Sequence, residues 1–259
     1  MSMKCDICKG KMFQWDSAKI MGKYDVTYWR CSECGYIKTE EPYWLEEAYS
    51  SAIGDSDIGL PYRNIQYSEI TSAVIKCCLS DKKSFLDFGG GYGLFVRLMR
   101  DKGFNFEWYD KYCENLFSKT FVKSKTHYDV VTAFEVFEHL PHPVSDLEEM
   151  VSLGDNIIFS TSLIPQNVNK IADWWYFCTE TGQHVSFYTH ESMRKIANHF
   201  GLNYVGVGDV HILGKEPISK ILFLMSCKIP RLINVLLKRR SYLMSDYEEI
   251  RDEILKGNG

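Results

Sequence analysis

The sequence contains neither a hydrophobic signal segment nor a long apolar run. The N-terminal stretch MSMKCDICKG has no apolar core, and no segment offers the roughly 18 consecutive apolar residues that a membrane span requires. Internal repeats and low-complexity tracts are also missing, which disfavours a solenoid or a largely disordered chain. These absences predict a soluble, cytoplasmic protein.

An excess of basic residues is missing as well. The formal net charge of the 259-residue chain is -4, whereas proteins that neutralise many phosphates are usually basic. The composition therefore disfavours nucleic acid as a partner. Hydrophobic residues make up 45% and charged residues 25%, which is enough apolar material for one full domain with a small appendage.

The pattern along the sequence divides the chain into four segments. Residues 1–42 are rich in cysteine, residues 43–64 mix aromatic and polar residues as a linker or cap, and residues 231–259 form a charged tail. Between them, residues 65–230 show strand and helix periodicity in turn. The predicted strands are Ser84–Phe88, Phe104–Tyr109, Tyr128–Phe134, Asn156–Ser160 and Asn203–Val207. The predicted helices cover 65–80, Leu94–Asp101, Val144–Val151 and a segment capped by Thr189. This alternation predicts an α/β fold, a Rossmann-like sheet with helices on both faces, whose ligands bind at the carboxyl ends of the strands.

A glycine-rich loop follows the first of these strands. In the run from Asp87 to Gly93, the glycines let the backbone turn sharply and approach a ligand closely. A dinucleotide fingerprint, G-x-G-x-x-G, would need a third glycine where Leu94 stands. The loop therefore favours S-adenosylmethionine (SAM) over a dinucleotide.

An acidic residue ends the next strand. Asp110 lies 23 positions after Asp87, where a carboxylate can accept hydrogen bonds from both hydroxyls of a ribose. The alternative is that the glycines form only a tight turn and Asp110 caps the following helix. The order strand, loop, helix, strand and acid favours the cofactor interpretation.

The segments LDFGGGYG, WYD and YDVVTAFEVFEHLPHP together resemble the class I SAM-dependent methyltransferases, in particular the branch that includes the ubiquinone-biosynthesis methyltransferases. The resemblance covers roughly residues 65–210. It implies that three segments hold the cofactor. Asp87, Gly89, Gly91 and Gly93 would bind its methionine part, and Asp110 would bind its ribose. Phe134 and Glu135 would line the cofactor site.

The same resemblance places Glu138 and His139 beside the mouth of the active site, although helix capping and packing would also account for them. The chain departs from the family pattern between Asp110 and Tyr128, where the stretch is short and the usual third strand is hard to identify. No residue can be assigned to the adenine ring on this basis.

Four of the nine cysteines form two C-x-x-C pairs, and 22 residues separate the pairs. Each pair is followed closely by a glycine, as in a Cys₄ zinc ribbon, and four thiolates leave no open position on the metal. The prediction is a structural Zn²⁺ site, with a redox pair as the alternative. The four ligands are Cys5, Cys8, Cys31 and Cys34.

The ribbon is similar to those of two groups of methyltransferases. Some ribosomal-RNA guanine methyltransferases use such a ribbon to contact RNA, and many bacterial methyltransferases of sugars or polysaccharide precursors begin with a similar arrangement. In the second group an aromatic, acidic linker follows, and CSECGYIKTEEPYWLEEAYSSAI resembles it. Residues 1–41 contain seven basic and six acidic residues, a net charge of 7 − 6 = +1, which is low for a surface that grips RNA.

A histidine after the fifth strand is the first candidate for a general base. The stretch from Trp174 to Thr189 is similar to one that borders the acceptor pocket in related methyltransferases, and transfer to a hydroxyl requires that its proton be removed. His184 is the first choice and His139 the second, with a histidine bonded only to backbone as the alternative. The aromatic residues at 174–176 would stack on a sugar ring or pack a lid.

Residues 218–240 are apolar and end in a basic cluster. The favoured interpretation is a last sheet strand over Lys220–Ser226 and an amphipathic helix over Arg231–Arg240, and docking on a membrane surface is the alternative.

The sequence therefore predicts a SAM-dependent methyltransferase with a structural zinc ribbon, acting on a small molecule, in particular a sugar hydroxyl of a glycan precursor. The alternatives are an RNA base methyltransferase and a cofactor-binding scaffold without catalysis. The sequence does not indicate an oligomeric state.

Overall fold

The computed structural model describes residues 3–49 and 57–257. These residues form two compact units. Unit 1 comprises Met1–Asp57 and Ala133–Ile218, and unit 2 comprises Ile58–Thr132 and Ser219–Gly259. Both units therefore contain parts of the chain that are far apart in sequence.

The strands in the described residues are β1 (Met12–Ile20), β2 (Tyr24–Cys31), β3 (Ile37–Thr39), β4 (Phe85–Phe88), β5 (Phe106–Tyr109), β6 (Tyr128–Ala133), β7 (Gly154–Ser160), β8 (Ser186–Phe187), β9 (Asn203–Val207) and β10 (Val210–Gly214). The α-helices are α1 (Leu45–Ala48), α2 (Leu60–Cys78), α3 (Leu94–Asp101), α4 (Pro143–Leu153), α5 (His190–His199), α6 (Lys220–Lys228), α7 (Pro230–Leu236) and α8 (Leu243–Gly257). None of the helices described is both long and apolar enough to cross a membrane.

The Cys-rich N-terminal segment of unit 1 forms an antiparallel sheet with the order β1-β2-β3-β8. Its last strand comes from much later in the chain, because Ile37 pairs with Phe187 and Lys38 with Ser186. Phe187 is fully buried and packs in one apolar cluster with Tyr28 and Phe177. The N-terminal sheet is therefore completed by the segment that contains His184.

Three further strands of unit 1 pair antiparallel in the order β7-β10-β9. The helix α5 precedes β9 and begins at Thr189, whose hydroxyl accepts a hydrogen bond from the backbone N–H of Ser192. That capping bond satisfies one of the donors that the first turn of a helix leaves unpaired.

The strands of unit 2 are parallel and lie in the order β5-β4-β6. The ring of Phe85 on β4 stacks on that of Phe106 on β5, with centroids 5.0 Å apart, and both side chains are buried. Helices α6 and α7 pack against α2. Helix α8 is joined to α3 by a buried ion pair, in which the Arg100 guanidinium lies 2.7 Å from the Asp246 carboxylate.

The predicted α/β class is confirmed, and every predicted strand and helix from residue 65 to Val207 overlaps an observed element of the same type. Helix α3 and strand β9 have the predicted bounds. Part of the predicted linker, residues 50–56, lies outside the described residues. The division of the chain at residues 42, 64 and 230 stays a prediction.

The prediction of a strand over Lys220–Ser226 is wrong. These residues belong to α6, and the hydroxyl of Ser219 caps the helix by accepting a hydrogen bond from the backbone N–H of Leu222. The strand that follows β9 is instead β10, which is buried at all five positions. The run after Ser219 is apolar at most positions, so its periodicity does not distinguish a helix from a strand.

Candidate functional site

The glycine-rich loop lies in unit 2, between β4 and α3. Gly91 and Gly93 have φ angles of 51° and 82°, a region that side chains with a Cβ rarely adopt. A Cβ at Gly93 would collide with the side-chain oxygen of Asn115, whereas nothing described lies within 4 Å of a Cβ at Gly91. The backbone at Gly91 is thus open to close approach by a ligand, which fits a cofactor of the predicted type.

Asp87 lies one residue before the end of β4, with its carboxyl group buried. The carboxyl accepts a hydrogen bond of 2.6 Å from the hydroxyl of Thr132 on β6. Burial raises the pKa of Asp87 to about 7, the Thr132 hydroxyl opposes this shift, and the Asp110 carboxylate adds to it. A buried carboxyl with few partners is suited to accept bonds from a cationic group.

Asp110 follows β5 and holds the loop from the other side. One carboxylate oxygen accepts the backbone N–H of Gly91 at 2.9 Å, and the other accepts those of Tyr112 and Cys113 at 2.7 and 2.9 Å. This bonding closes a turn and does not cap a helix, because no helix is described between Asp110 and β6. It orients the carboxylate against the glycine loop and leaves the predicted ribose contact as a proposal.

Phe134 and Glu135 follow directly after β6, in unit 1. Glu135 has a φ angle of 54°, which is strained for a residue with a Cβ. Ser160 holds this conformation, because its Oγ accepts the Glu135 N–H at 2.8 Å and donates to the Glu135 carboxylate at 2.6 Å. Backbone strain of this kind is concentrated at functional sites.

Glu138 is the most unusual side chain of unit 1. It is fully buried, and neither carboxylate oxygen accepts a hydrogen bond from the described residues. Burial, followed by the neighbouring Glu135 carboxylate, raises the pKa of Glu138 to about 8, against smaller opposing effects of the Tyr176 and Thr161 hydroxyls. The group is therefore mostly a neutral acid at pH 7.

The two candidate histidines lie side by side, with ring centroids 5.0 Å apart. The Nδ1 atom of His184 is 2.7 Å from the carbonyl oxygen of Tyr176, and that of His139 is 3.0 Å from the carbonyl of Gln183 and 2.8 Å from the Tyr49 hydroxyl. Carbonyl oxygens only accept, so each Nδ1 carries a proton and, in the neutral form of each ring, Nε2 carries the lone pair. Both rings thus have the same tautomer.

The His139 ring is held in this neutral form. Burial and the adjacent His184 lower its pKa to about 3. One ligand atom from each of Glu138, His139 and His184 lies within 4.8 Å of the other two. A carboxylate and two imidazoles can exchange protons, and such a donor set can also hold a divalent cation.

The four paired cysteines converge in unit 1. All four Sγ atoms lie within 4.8 Å of one another, with Cys5 and Cys34 at 3.7 Å and Cys8 and Cys31 at 3.4 Å. A tetrahedron with Zn–S arms of about 2.3 Å has edges of about 3.8 Å. The thiol positions therefore fit a tetrahedral metal ion, and the sulfurs are too far apart for disulfides.

A family model described as "Methyltransferase domain" matches residues 62–207, which is more than half of the chain. The chain belongs to this family and is a SAM-dependent methyltransferase. A comparison with curated proteins finds no match for this methyltransferase.

Among solved structures, the methyltransferase is similar to magnesium protoporphyrin IX methyltransferase from Synechocystis with bound SAM, at 15% identity over 66% of this chain and 90% of that chain, with a TM-score of 0.40. The plantazolicin methyltransferase in complex with SAH matches at 14% identity over 75% and 86%, with a TM-score of 0.45. An O-methyltransferase family 2 protein from Planctomyces limnophilus in complex with apigenin matches at 12% identity over 66% and 65%, with a TM-score of 0.45.

The sequence of the methyltransferase did not reveal several residues around the histidines. Tyr49 falls in the predicted linker, yet its hydroxyl contacts His139, which is 90 residues away in sequence. The backbone carbonyls of Tyr176 and Gln183 orient the rings, and no side-chain pattern can indicate a carbonyl. Only the aromatic stretch after β7 pointed to Tyr176.

Proposed function

We propose that the methyltransferase transfers a methyl group from SAM to a hydroxyl group of a small molecule, and that this acceptor is a sugar or a glycan precursor. The observation that carries the proposal is the orientation of His184. Its Nδ1–H donates to the Tyr176 carbonyl at 2.7 Å, so Nε2 is the ring nitrogen that would accept a proton. Methyl transfer to a hydroxyl needs such a base.

Residues of β4 and the glycine loop, Asp110 and the two residues that follow β6 are proposed to bind the cofactor. SAM, when bound, supplies a methyl group that its sulfonium activates for displacement. The open backbone at Gly91 and the anionic Asp110 support binding of the cofactor at this loop. The full proposed set is Asp87, Gly89, Gly91, Gly93, Asp110, Phe134 and Glu135.

His184 is proposed as the general base, and His139 and Glu138 as groups that support it. The His139 imidazole lies beside His184 and stays neutral. It therefore does not repel the positive charge that His184 would gain with a proton. The Glu138 carboxyl group is protonated near pH 7 and can release its proton to solvent when His184 takes one from the acceptor. The cluster would then hold a proton on His184 with no net gain of positive charge.

Two features support a sugar as the acceptor. Trp175 is 76% exposed, and an exposed indole ring is suited to stack on the apolar face of a sugar. The ribbon followed by an aromatic, acidic segment also resembles methyltransferases of polysaccharide precursors. The weak positive charge of residues 1–41 gives no support to RNA as the acceptor.

We also propose that Cys5, Cys8, Cys31 and Cys34 hold a structural Zn²⁺. Four thiolates complete the metal shell, so the metal would stabilise the N-terminal sheet and take no part in methyl transfer. The distances between the sulfurs support this proposal.

The acceptor is tested by incubating the protein with SAM labelled in the methyl group and fractionated cell extract. We expect label in a sugar or glycan fraction, in an ether linkage stable to mild base. Label recovered in RNA would contradict the sugar proposal and favour the RNA alternative. Binding of SAM without label transfer to any fraction would favour a scaffold.

The role of His184 is tested by His184→Ala. We expect kcat to fall by about 10²–10⁴-fold with little change in the Kd for SAM, because a base is lost and the cofactor loop is intact. His199→Ala removes an exposed histidine at the end of α5 and serves as the control. A kcat for His184→Ala close to that of the control would remove His184 from the mechanism.

A further inference from the structure

Helices α6 and α7 of unit 2 expose many apolar side chains. Ile221 is 71% exposed and Val235 is 74% exposed, although both lie within regular helices. Large contiguous apolar patches on a protein surface mark interaction sites. We call the exposed sides of these two helices the apolar–basic face. Its exposed apolar residues are Ile221, Leu222, Leu224, Met225, Ile229, Leu232, Val235 and Leu236.

The inner sides of the two helices are already occupied. Phe223 and Ile233 are buried, and the helices pack on α2. The Asn234 side chain fixes this packing, because its oxygen accepts the Ser72 hydroxyl at 2.9 Å and its amide donates to the Glu69 backbone carbonyl at 2.9 Å. The exposed apolar side chains are therefore those that the core of unit 2 does not use.

All the charged residues in and directly around α6 and α7 are basic. Residues 217–245 contain six basic residues and no acidic residue, in a chain whose net charge is -4. All six are exposed. They are Lys220, Lys228, Arg231, Lys238, Arg239 and Arg240.

Apolar and basic side chains share the outward sides of the helices. Residues four positions apart lie on one side of a helix, and Leu224 precedes Lys228 by four positions just as Arg231 precedes Val235. Long basic side chains can extend past neighbouring apolar groups to reach lipid headgroups. Exposed apolar residues interleaved with lysine and arginine are typical of helices that lie in a membrane interface.

We propose that the apolar–basic face docks the protein on the surface of an anionic phospholipid bilayer. The apolar side chains would enter the headgroup and acyl boundary, and the five cations other than Arg239, whose guanidinium donates to the Gly103 carbonyl, would face anionic headgroups. Charge decides against a second copy of the chain, because a two-fold interface would bring this cationic patch against itself. The helical structure of Lys220–Lys228 matters here, since a strand would have buried these side chains in a sheet.

Vesicle co-sedimentation of the full-length protein tests the proposal. We expect binding to phosphatidylcholine vesicles that contain about 30% phosphatidylglycerol, little binding to pure phosphatidylcholine, and a decrease of binding as salt rises from about 0.05 to 0.5 M. Absence of binding to the anionic vesicles at low salt would overturn the proposal.

Two sets of substitutions locate the surface. The triple variant Lys220→Gln, Lys228→Gln and Lys238→Gln should bind anionic vesicles on the order of a hundredfold more weakly, since each cation contributes about fivefold. The matched control replaces three exposed lysines elsewhere in unit 2, Lys119, Lys123 and Lys125, by Gln. Equal binding by the two triple variants would contradict the proposed surface.

The apolar contribution is tested by Ile221→Gln with Val235→Gln, which keeps the charge and replaces exposed side chains only. This variant should also bind vesicles more weakly, and Ile58→Gln, at a position 90% exposed, is its control. Light scattering provides the competing measurement. A wild-type dimer that the double variant converts to a monomer, with no vesicle binding by either, would overturn membrane docking in favour of self-association.

Discussion

The ionisation of Glu138 is set by its surroundings in the fold. The sequence places it two residues after Val136, in a stretch that resembles the mouth of a methyltransferase site, and nothing in the sequence indicates its ionisation. Its burial, with the Glu135 carboxylate nearby, raises its pKa to about 8. The two histidines were likewise candidates from the sequence, but their adjacency depends on contacts between distant segments.

The raised pKa of Glu138 makes stability depend on pH. The ordinary pKa of 4.5 applies to the unfolded chain, so between about pH 4.5 and 8 the native state binds a proton that the unfolded state has released. The stabilising effect of the protonated group is complete below pH 4.5 and is lost as pH rises through 8. Glu138→Gln removes this dependence because an amide does not ionise.

We therefore expect Glu138→Gln to have a free energy of unfolding higher than wild type by roughly 1–4 kcal/mol at about pH 9, and close to wild type at about pH 4.5. Urea unfolding at the two pH values measures this difference. Glu148→Gln changes an exposed carboxylate on α4 and is the control. A pH-independent effect of Glu138→Gln would contradict the assignment.

At the scale of elements, the sequence was sufficient where periodicity and capping residues agree. Helix α3 lies between a glycine loop and Gly103, and its bounds were predicted correctly. The pattern failed at α6, where nearly every residue is apolar and only the Ser219 cap distinguishes a helix from a strand. Strand β10 was missed because a five-residue buried strand has no alternation.

The turn between β4 and α3 should not tolerate a side chain at Gly93. Gly93→Ala should destabilise the protein for two reasons: φ is 82°, and the new Cβ would meet Asn115. Gly201→Ala is the matched control, since Gly201 has φ of 66° but nothing described lies within 4 Å of its Cβ position.

We expect Gly201→Ala to lower the free energy of unfolding by roughly 1–2 kcal/mol, the cost of the left-handed backbone alone, and Gly93→Ala to lower it by more. Calorimetry measures both. Gly93→Ala should in addition weaken SAM binding, which Gly201→Ala should leave unchanged. Equal losses of stability in the two variants would show that Asn115 does not restrict the turn.

At the scale of the whole molecule, the predicted zinc ribbon is joined to later parts of the chain. Strand β8 completes its sheet, and the Thr189 hydroxyl donates to the Cys34 carbonyl at 2.6 Å. His184 lies two residues before β8. No local pattern could reveal this pairing, because the residues of β3 and β8 are brought together only by the tertiary fold.

Removal of the metal should therefore affect more than the N-terminal segment. We expect one zinc per chain by elemental analysis, and a lower Tm and lower kcat after chelation, because loss of the ribbon removes the partner of β8. Cys31→Ser should lose the metal, whereas Cys77→Ser, at a partly buried cysteine on α2, should retain it. Purified protein without zinc, or equal zinc in both variants, would contradict the Cys₄ site.

The pairing of β3 with β8 also has a consequence for biosynthesis. Tyr36 and Ser186, whose hydroxyls lie 2.7 Å apart beside this pairing, are separated by 150 residues. At translation rates of about 5–20 residues per second, β8 leaves the ribosome roughly 8–30 seconds after the two cysteine pairs. During that interval the nascent ribbon has an unpaired strand edge, which is the kind of surface that chaperones protect from aggregation.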